Sequence, residues 1–135
     1  MPIDAPDFVQ WQQPIEVVAT LPTPPSPALE TPFVQLARYE GASTDFQSII
    51  IYQVGTGKQA ILEEISMISD NFDKTLWALS IKGVTQFSNK LLQSSLTIVF
   101  PSVRMTAGDY LYLDARSSDG TTIKADAMLS GKEVG

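Results

Sequence analysis

Closely spaced carboxylates are the first candidates for chemistry, because two of them can divide the roles of general acid and general base. Glu63 and Glu64 are adjacent, but neighbours on a β-strand point to opposite faces of a sheet. We therefore interpret them as solvent-facing charges. Asp114, Asp119 and Asp126 follow one another along the end of the chain. Two of them could form the carboxylate pair of a glycosidase, but no second motif supports this interpretation. The sequence thus predicts no catalytic residues.

Oxygen-bearing side chains also cluster in 70–73, which reads Asp-Asn-Phe-Asp. Carboxylate and amide oxygens bind Ca²⁺, but the spacing differs from that of an EF-hand loop, and Asp and Asn are common in turns. Gly55-Thr-Gly57-Lys58 carries two glycines and a lysine but lacks the longer loop that surrounds a phosphate. We predict a loop at the first stretch, a hairpin turn at the second, and neither a metal site nor a cofactor.

Aromatic residues offer a binding chemistry instead of a catalytic one. Trp77, Tyr110 and Tyr112 stand at strand spacing and would suit a platform for a sugar ring. Aromatic side chains in strands more often belong to a core or a protein interface. A carbohydrate-binding module is therefore kept as the alternative function.

The composition narrows the remaining classes. The 135 residues include no His and no Cys, which removes the usual general base, thiolate nucleophile and zinc ligands. The net charge is -6, from 15 acidic and 9 basic residues, whereas nucleic-acid binding requires clustered Lys and Arg. No apolar run is long enough to cross a membrane. We expect a protein that is not an enzyme and binds neither nucleic acid nor a membrane.

The chain divides into two regions of different composition, which together carry the candidate residues. Residues 1–32 hold eight of the nine prolines and none of the glycines, lysines or arginines. Proline fixes φ and lacks an N–H group, so this segment is predicted to be an extended, stiff arm. Residues 33–135 are predicted to form one compact domain.

The predicted arm is also apolar, and an extended segment cannot bury its own side chains. Either they pack back on the domain, or they contact a neighbouring subunit or another protein, which is the interpretation we favour. Five arm residues are the predicted partner-binding residues: Phe8, Trp11, Ile15, Val17 and Val18.

The domain reads as an all-β protein of about eight strands separated by short turns, which is typical of an antiparallel sandwich or jelly roll. Strands are predicted over 33–39, 46–54, 75–82, 95–100 and 103–105. The run 60–69 also fits helical spacing, but its β-branched residues and its surroundings favour a strand. The run 87–92 is either a short strand or an irregular crossing.

The end of the chain gives the clearest pattern. Residues 110–115 alternate apolar and mixed, 117–120 read Ser-Ser-Asp-Gly, and 121–129 alternate again. This order predicts two strands joined in a tight hairpin that closes the sandwich. Pro101 is expected to stop the strand before it from continuing.

The domain resembles the small jelly-roll proteins on tailed-bacteriophage virions, above all the capsid decoration (cement) proteins. Three motifs carry the resemblance: Gly57-Lys-Gln-Ala-Ile-Leu62, Val103-x-x-x-Ala107-Gly-Asp-Tyr-Leu-Tyr112, and Thr122-Ile-x-Ala-x-Ala-x-Leu-Ser-Gly-Lys-Glu-Val134. Similar patterns of turns and strands occur in phage fibre, neck and baseplate proteins.

The resemblance implies a structural protein on the capsid surface of a virion. Its partners would be the major capsid protein and other copies of itself, with a homotrimer as the expected oligomer and the arm reaching a neighbour. The alternative is a carbohydrate- or receptor-binding module of a fibre, neck or baseplate.

Overall fold

The structure is a computed structural model that describes residues 29–135, with only the backbone of Ser102. Eight strands and one short 3-10 helix make up this part of the chain. The strands are β1 (Glu30–Gly41), β2 (Gln47–Gln53), β3 (Gln59–Ser69), β4 (Thr75–Ile81), β5 (Val84–Leu91), β6 (Leu96–Thr106), β7 (Tyr110–Ser117) and β8 (Ile123–Val134), and the 3-10 helix is Phe72–Lys74. The all-β prediction is confirmed, and 59–69 is a strand and not a helix.

Two four-stranded antiparallel sheets pack face to face. The first sheet has the order β1-β8-β3-β6 and the second has the order β2-β7-β4-β5. Every connection between consecutive strands crosses from one sheet to the other, except that between β4 and β5. Eight strands with this order form a jelly roll, as predicted.

This crossing pattern overturns two predicted hairpins. β7 and β8 lie in different sheets, as do β2 and β3, so the turns at 117–120 and 55–58 lead the chain between sheets. The turn signals were correct, but they could not specify the pairing partner. β7 and β8 are both interior strands, and each already has a neighbour on either side.

The one connection within a sheet is a two-residue hairpin. Lys82 and Gly83 have φ values of 57° and 78°, and Ile81 pairs with Val84 around them. Two positive φ values are those of a type I′ turn, whose twist matches that of paired strands. β5, which covers most of the stretch predicted as a short strand or an irregular crossing, is an edge strand of the second sheet whose pairing with β4 shifts register twice.

The core lies between the sheets and comes from alternating positions of the interior strands. Alternate residues of β4, β7 and β8 are buried: Trp77, Leu79, Ile81, Leu111, Leu113, Ala115, Ile123, Ala125, Ala127 and Leu129. Such alternation arises because successive side chains of a strand point to opposite faces. The edge strands β1 and β5 add half-buried aromatic rings, Phe33 and Phe87.

Pro101 does not stop its strand, contrary to the prediction. β6 continues through it to Thr106. Its pairing with β3 shifts here, because Leu62 pairs with Val103 and Glu64 pairs with Val99. β6 is an edge strand, and proline is tolerated at edges and bulges, where its missing N–H costs no ladder hydrogen bond.

β1 pairs with β8 without a bulge from Glu30 to Gly41. Phe33 lies opposite Gly131 and stacks on Tyr52 of β2, with ring centroids 4.6 Å apart. The aromatic ring thus covers the glycine and joins the two sheets at this edge. The strand begins at Glu30 and includes Pro32, so it starts three residues before the predicted strand.

Candidate protein-binding surface

The predicted carboxylate candidates are separated by the fold. Asp119 lies in the connection between β7 and β8, Asp126 lies on the first sheet, and Asp114 lies on the second sheet. Glu63 and Glu64 stand at the bulge of β3, the first exposed and the second half-buried. Within residues 29–135 no three His, Cys, Asp or Glu side chains are grouped closely enough to hold a metal ion.

Two of these aspartates are engaged in ion pairs. Lys74 Nζ lies 2.7 Å from Asp119 Oδ2, and hydrogen bonds from Lys74 and Thr121 lower the pKa of Asp119 to about 2. The hydrogen bond from Arg38 lowers the pKa of Asp126 below its ordinary value. Both carboxylates therefore stay ionised near neutral pH and serve to join strands and loops.

The loop at 70–73 uses its polar groups internally. Asp70 Oδ1 accepts a hydrogen bond of 2.8 Å from the backbone N–H of Lys124. The carbonyl of Asn71 accepts one of 2.7 Å from Thr75 Oγ1, whose hydroxyl also lies 2.7 Å from Ser69 Oγ. The Asp70 side chain and the Asn71 backbone carbonyl therefore hold the connection between β3 and β4 in place.

The predicted aromatic platform is divided between the core and the surface. Trp77 is fully buried (0% exposed), so it cannot contact a sugar. Tyr110 and Tyr112 lie on the outer face of the second sheet and stack on each other, with ring centroids 5.3 Å apart and planes 12° apart. Only the two tyrosines remain as a candidate aromatic surface.

At the 55–58 turn, Lys58 takes part in a structural contact. Lys58 Nζ lies 3.3 Å from Glu133 Oε2, and Glu133 Oε1 accepts a hydrogen bond of 2.9 Å from the hydroxyl of Tyr52. Burial, reinforced by this hydrogen bond, raises the pKa of Tyr52. Glu133 thus joins the end of β8 to the second sheet through Tyr52 and to the 55–58 turn through Lys58.

A surface that was not predicted lies on the outer face of the first sheet. Aliphatic side chains stand there in water-facing positions on all four strands, and we call them the aliphatic face: Val34, Leu36, Ile68, Val99 and the half-buried Met128. Leu36 is 74% exposed and Ile68 is 50% exposed. The outer face of an antiparallel sheet is usually polar, so this composition makes the aliphatic face a candidate binding surface.

The aliphatic face contains a groove. Leu36, Ile68 and Met128 line it together with Thr97, and its volume is about 300 Å³. Leu36 is opposite Met128 in the ladder, and Met128 is opposite Ser66, which places these side chains in one row across three strands. The sequence carried a signal for it, because Val34 and Leu36 are apolar although their neighbours Phe33, Gln35 and Ala37 already face inward.

The predicted partner-binding residues Phe8, Trp11, Ile15, Val17 and Val18 lie outside the described residues. Within residues 29–135, no helix is long and apolar enough to span a bilayer. Comparison with known proteins gives no matching family model and no matching curated protein.

Proposed function

We propose that this chain is a structural protein of a tailed-phage virion that decorates and stabilises the capsid. It would sit on the capsid surface as a homotrimer, in contact with the major capsid protein, with its N-terminal arm contacting neighbouring subunits. The three sequence motifs that carry the resemblance and the eight-stranded jelly roll support this proposal. Such a protein acts by adding contacts between subunits.

One observation carries the proposal. The aliphatic face begins on β1, and β1 is also the edge strand into which residues 1–28 lead. The strand that carries part of this exposed apolar surface therefore closely follows, in the sequence, an apolar segment that cannot bury its own side chains. Repeated weak contacts of this kind give strong overall attachment when many copies bind one particle.

The test is to image virions that carry a tagged copy of the chain. We expect electron microscopy to show label over the capsid surface. Label on the tail, or none on purified virions, would contradict the capsid assignment.

A full-length variant tests the role of the arm. Phe8→Ser, Trp11→Ser and Val18→Ser together remove large apolar side chains from a segment outside the described core. We expect this variant to fold, as judged by its circular dichroism, and to leave capsids unlabelled. Undiminished labelling would show that the arm is not required.

A second candidate function is carbohydrate binding by Tyr110 and Tyr112. Their stacked rings on the outer face of the second sheet favour it, because aromatic faces bind sugar rings. A glycan array probed with the chain and with Tyr110→Ala decides the matter. Binding that is lost in a folded variant would support this function, and an array without signal would contradict it.

A further inference from the structure

The aliphatic face requires an occupant of a particular chemistry. Two cations beside the groove are already paired, since Arg38 contacts Asp126 and Lys124 lies 3.8 Å from Glu40 Oε1. Covering the groove therefore needs no anionic partner, and an anionic occupant would gain little from these two cations. An apolar segment that removes the leucine, isoleucine and methionine side chains from water would gain the most.

Residues 8–21 of the chain have this chemistry. They contain one charged residue, Glu16, and seven large apolar residues: Phe8, Val9, Trp11, Ile15, Val17, Val18 and Leu21. The low charge of this segment is also compatible with the aliphatic face, because a single carboxylate would leave the ion pairs beside the groove undisturbed. An extended segment of this composition gains stability only by lying on an apolar surface.

The sequence between residues 8–21 and β1 favours a contact of this segment with the aliphatic face of a second copy over a contact with the face of its own copy. Residues 22–28 include Pro22, Pro24, Pro25 and Pro27 and no glycine. Proline-rich segments are stiff and extend by about 3.1 Å per residue, so seven such residues would span about 20 Å in an extended form. To reach its own aliphatic face the chain would have to reverse direction beside Glu30, and such a reversal usually needs glycine.

We propose that residues 8–21 of one copy lie across the aliphatic face of a neighbouring copy. This contact would hold the copies together in the assembly proposed above, so its biological role rests on that proposed function. Leu36, Ile68 and Met128 would form the receiving groove. Each subunit would donate one segment and receive another, which closes a symmetric ring of identical contacts.

A photo-crosslinking experiment on full-length purified protein tests this contact. A benzophenone amino acid replaces Ile68 in unlabelled chains, which are unfolded together with ¹⁵N-labelled chains that lack the probe and then refolded. Arg38 is the first basic residue, so trypsin releases residues 1–38 as one peptide, separate from the peptide that contains position 68. Tandem mass spectrometry then locates the linked residue.

We expect links from position 68 to residues 8–21 of the ¹⁵N-labelled peptide. Links to residues 8–21 of unlabelled peptide alone would mean that each chain covers its own face, and would overturn the proposal. No link to residues 8–21 would do the same. A probe at Ile51, which is similarly exposed on the second sheet, is the matched control and should give no link to this segment.

A charged substitution gives an independent readout. Leu36→Asp places a carboxylate in the groove, and we expect the native mass to fall from that of an oligomer to that of a monomer. Ile51→Asp should leave the mass unchanged. A monomeric wild-type chain, or an oligomer that survives Leu36→Asp, would count against the proposal.

These measurements use no capsid. A protein that forms the cross-links but is absent from capsids would contradict the proposed function and leave this contact established. A protein that labels capsids but forms no such cross-links would support the proposed function and overturn this contact.

Discussion

Arg38 of β1 and Asp126 of β8 lie directly opposite each other in the ladder, and the guanidinium donates two hydrogen bonds to the carboxylate, of 2.6 and 2.9 Å. The pair stands beside the aliphatic groove, which Asp126 also lines. Ion pairs between Glu40 and Lys124 and between Glu30 and Lys132 join the same two strands near their ends. β1, the first strand of the described residues, is thus held to the sheet by side chains as well as by its backbone.

Reversing the charge of Arg38 should loosen this edge. Arg38→Asp places two carboxylates opposite each other, which destabilises a strand pair. We expect faster amide hydrogen exchange along β1 and little change in β4. The double variant Arg38→Asp with Asp126→Arg restores opposite charges and should restore slow exchange. If β1 exchange were unaffected by the single variant, the pair would have no part in holding the edge.

Truncating Trp77 should lower the free energy of unfolding severely, because this side chain belongs to the core and not to the surface. Its ring is fully buried between the sheets, and removing a buried aromatic side chain costs about 3–5 kcal/mol. Urea unfolding of Trp77→Ala should show this loss in the free energy of unfolding, and Tyr110→Ala on the outer face should show little. A small effect at Trp77 would contradict its place in the core.

The sequence predicted the elements of this fold better than their partners. The alternation around Trp77 and around Leu111 depends only on neighbours along the chain, so the buried faces of β4 and β7 could be predicted. Which strands pair depends on contacts distant in sequence, such as that of β1 with β8. For this reason the turn at Gly120 was located correctly, while its two flanking strands were wrongly paired.

The aliphatic face shows a similar limit. Leu36 and Ile68 are far apart in the sequence, and each alone looks like an ordinary exposed residue. They share one groove because β8 lies between β1 and β3, with Leu36 opposite Met128 and Ile68 opposite Asp126. Pro101 was misjudged for a related reason, because the edge position of β6 that tolerates it is a property of the sheet and not of the strand.

Asp119 should contribute to stability in a defined acidic range. Its pKa is lowered from 3.8 to about 2, chiefly by the hydrogen bond from Lys74. A lowered carboxyl pKa gives a contribution that is fully present above pH 3.8 and is lost as the pH falls to about 2. We expect the stability of Asp119→Asn, followed by thermal unfolding, to fall less steeply over that range than the stability of the wild type. Equal slopes would contradict the ion pair with Lys74.

Tyr52 should give the opposite dependence at alkaline pH. Burial and the hydrogen bond to Glu133 raise its pKa above the ordinary value of 10.0. A raised phenol pKa favours the neutral group in the folded state, so this contribution is present below pH 10.0 and is lost as the pH rises above it. Tyr52→Phe should make the alkaline loss of stability shallower. Parallel alkaline curves for the wild type and Tyr52→Phe would exclude this coupling.

Gly131 should tolerate no side chain, because its neighbours are fixed on two sides. A Cβ atom there would lie 2.5 Å from the carbonyl oxygen of Ile61 and 2.9 Å from the ring of Phe33. The ring could move, but the carbonyl belongs to the adjacent strand β3 and cannot do so without disturbing the ladder. We expect Gly131→Ala to lower the free energy of unfolding by about 1–3 kcal/mol, the usual cost of overpacking.

The control for this variant is Gly55→Ala, whose added Cβ would meet only Lys58 Cδ, at 3.8 Å. We expect it to change the free energy of unfolding by less than about 0.5 kcal/mol. Combining Gly131→Ala with Phe33→Leu relieves the contact with the ring but leaves the one with Ile61. Rescue should therefore be partial, and complete rescue would mean that the ring alone excludes a side chain at this position.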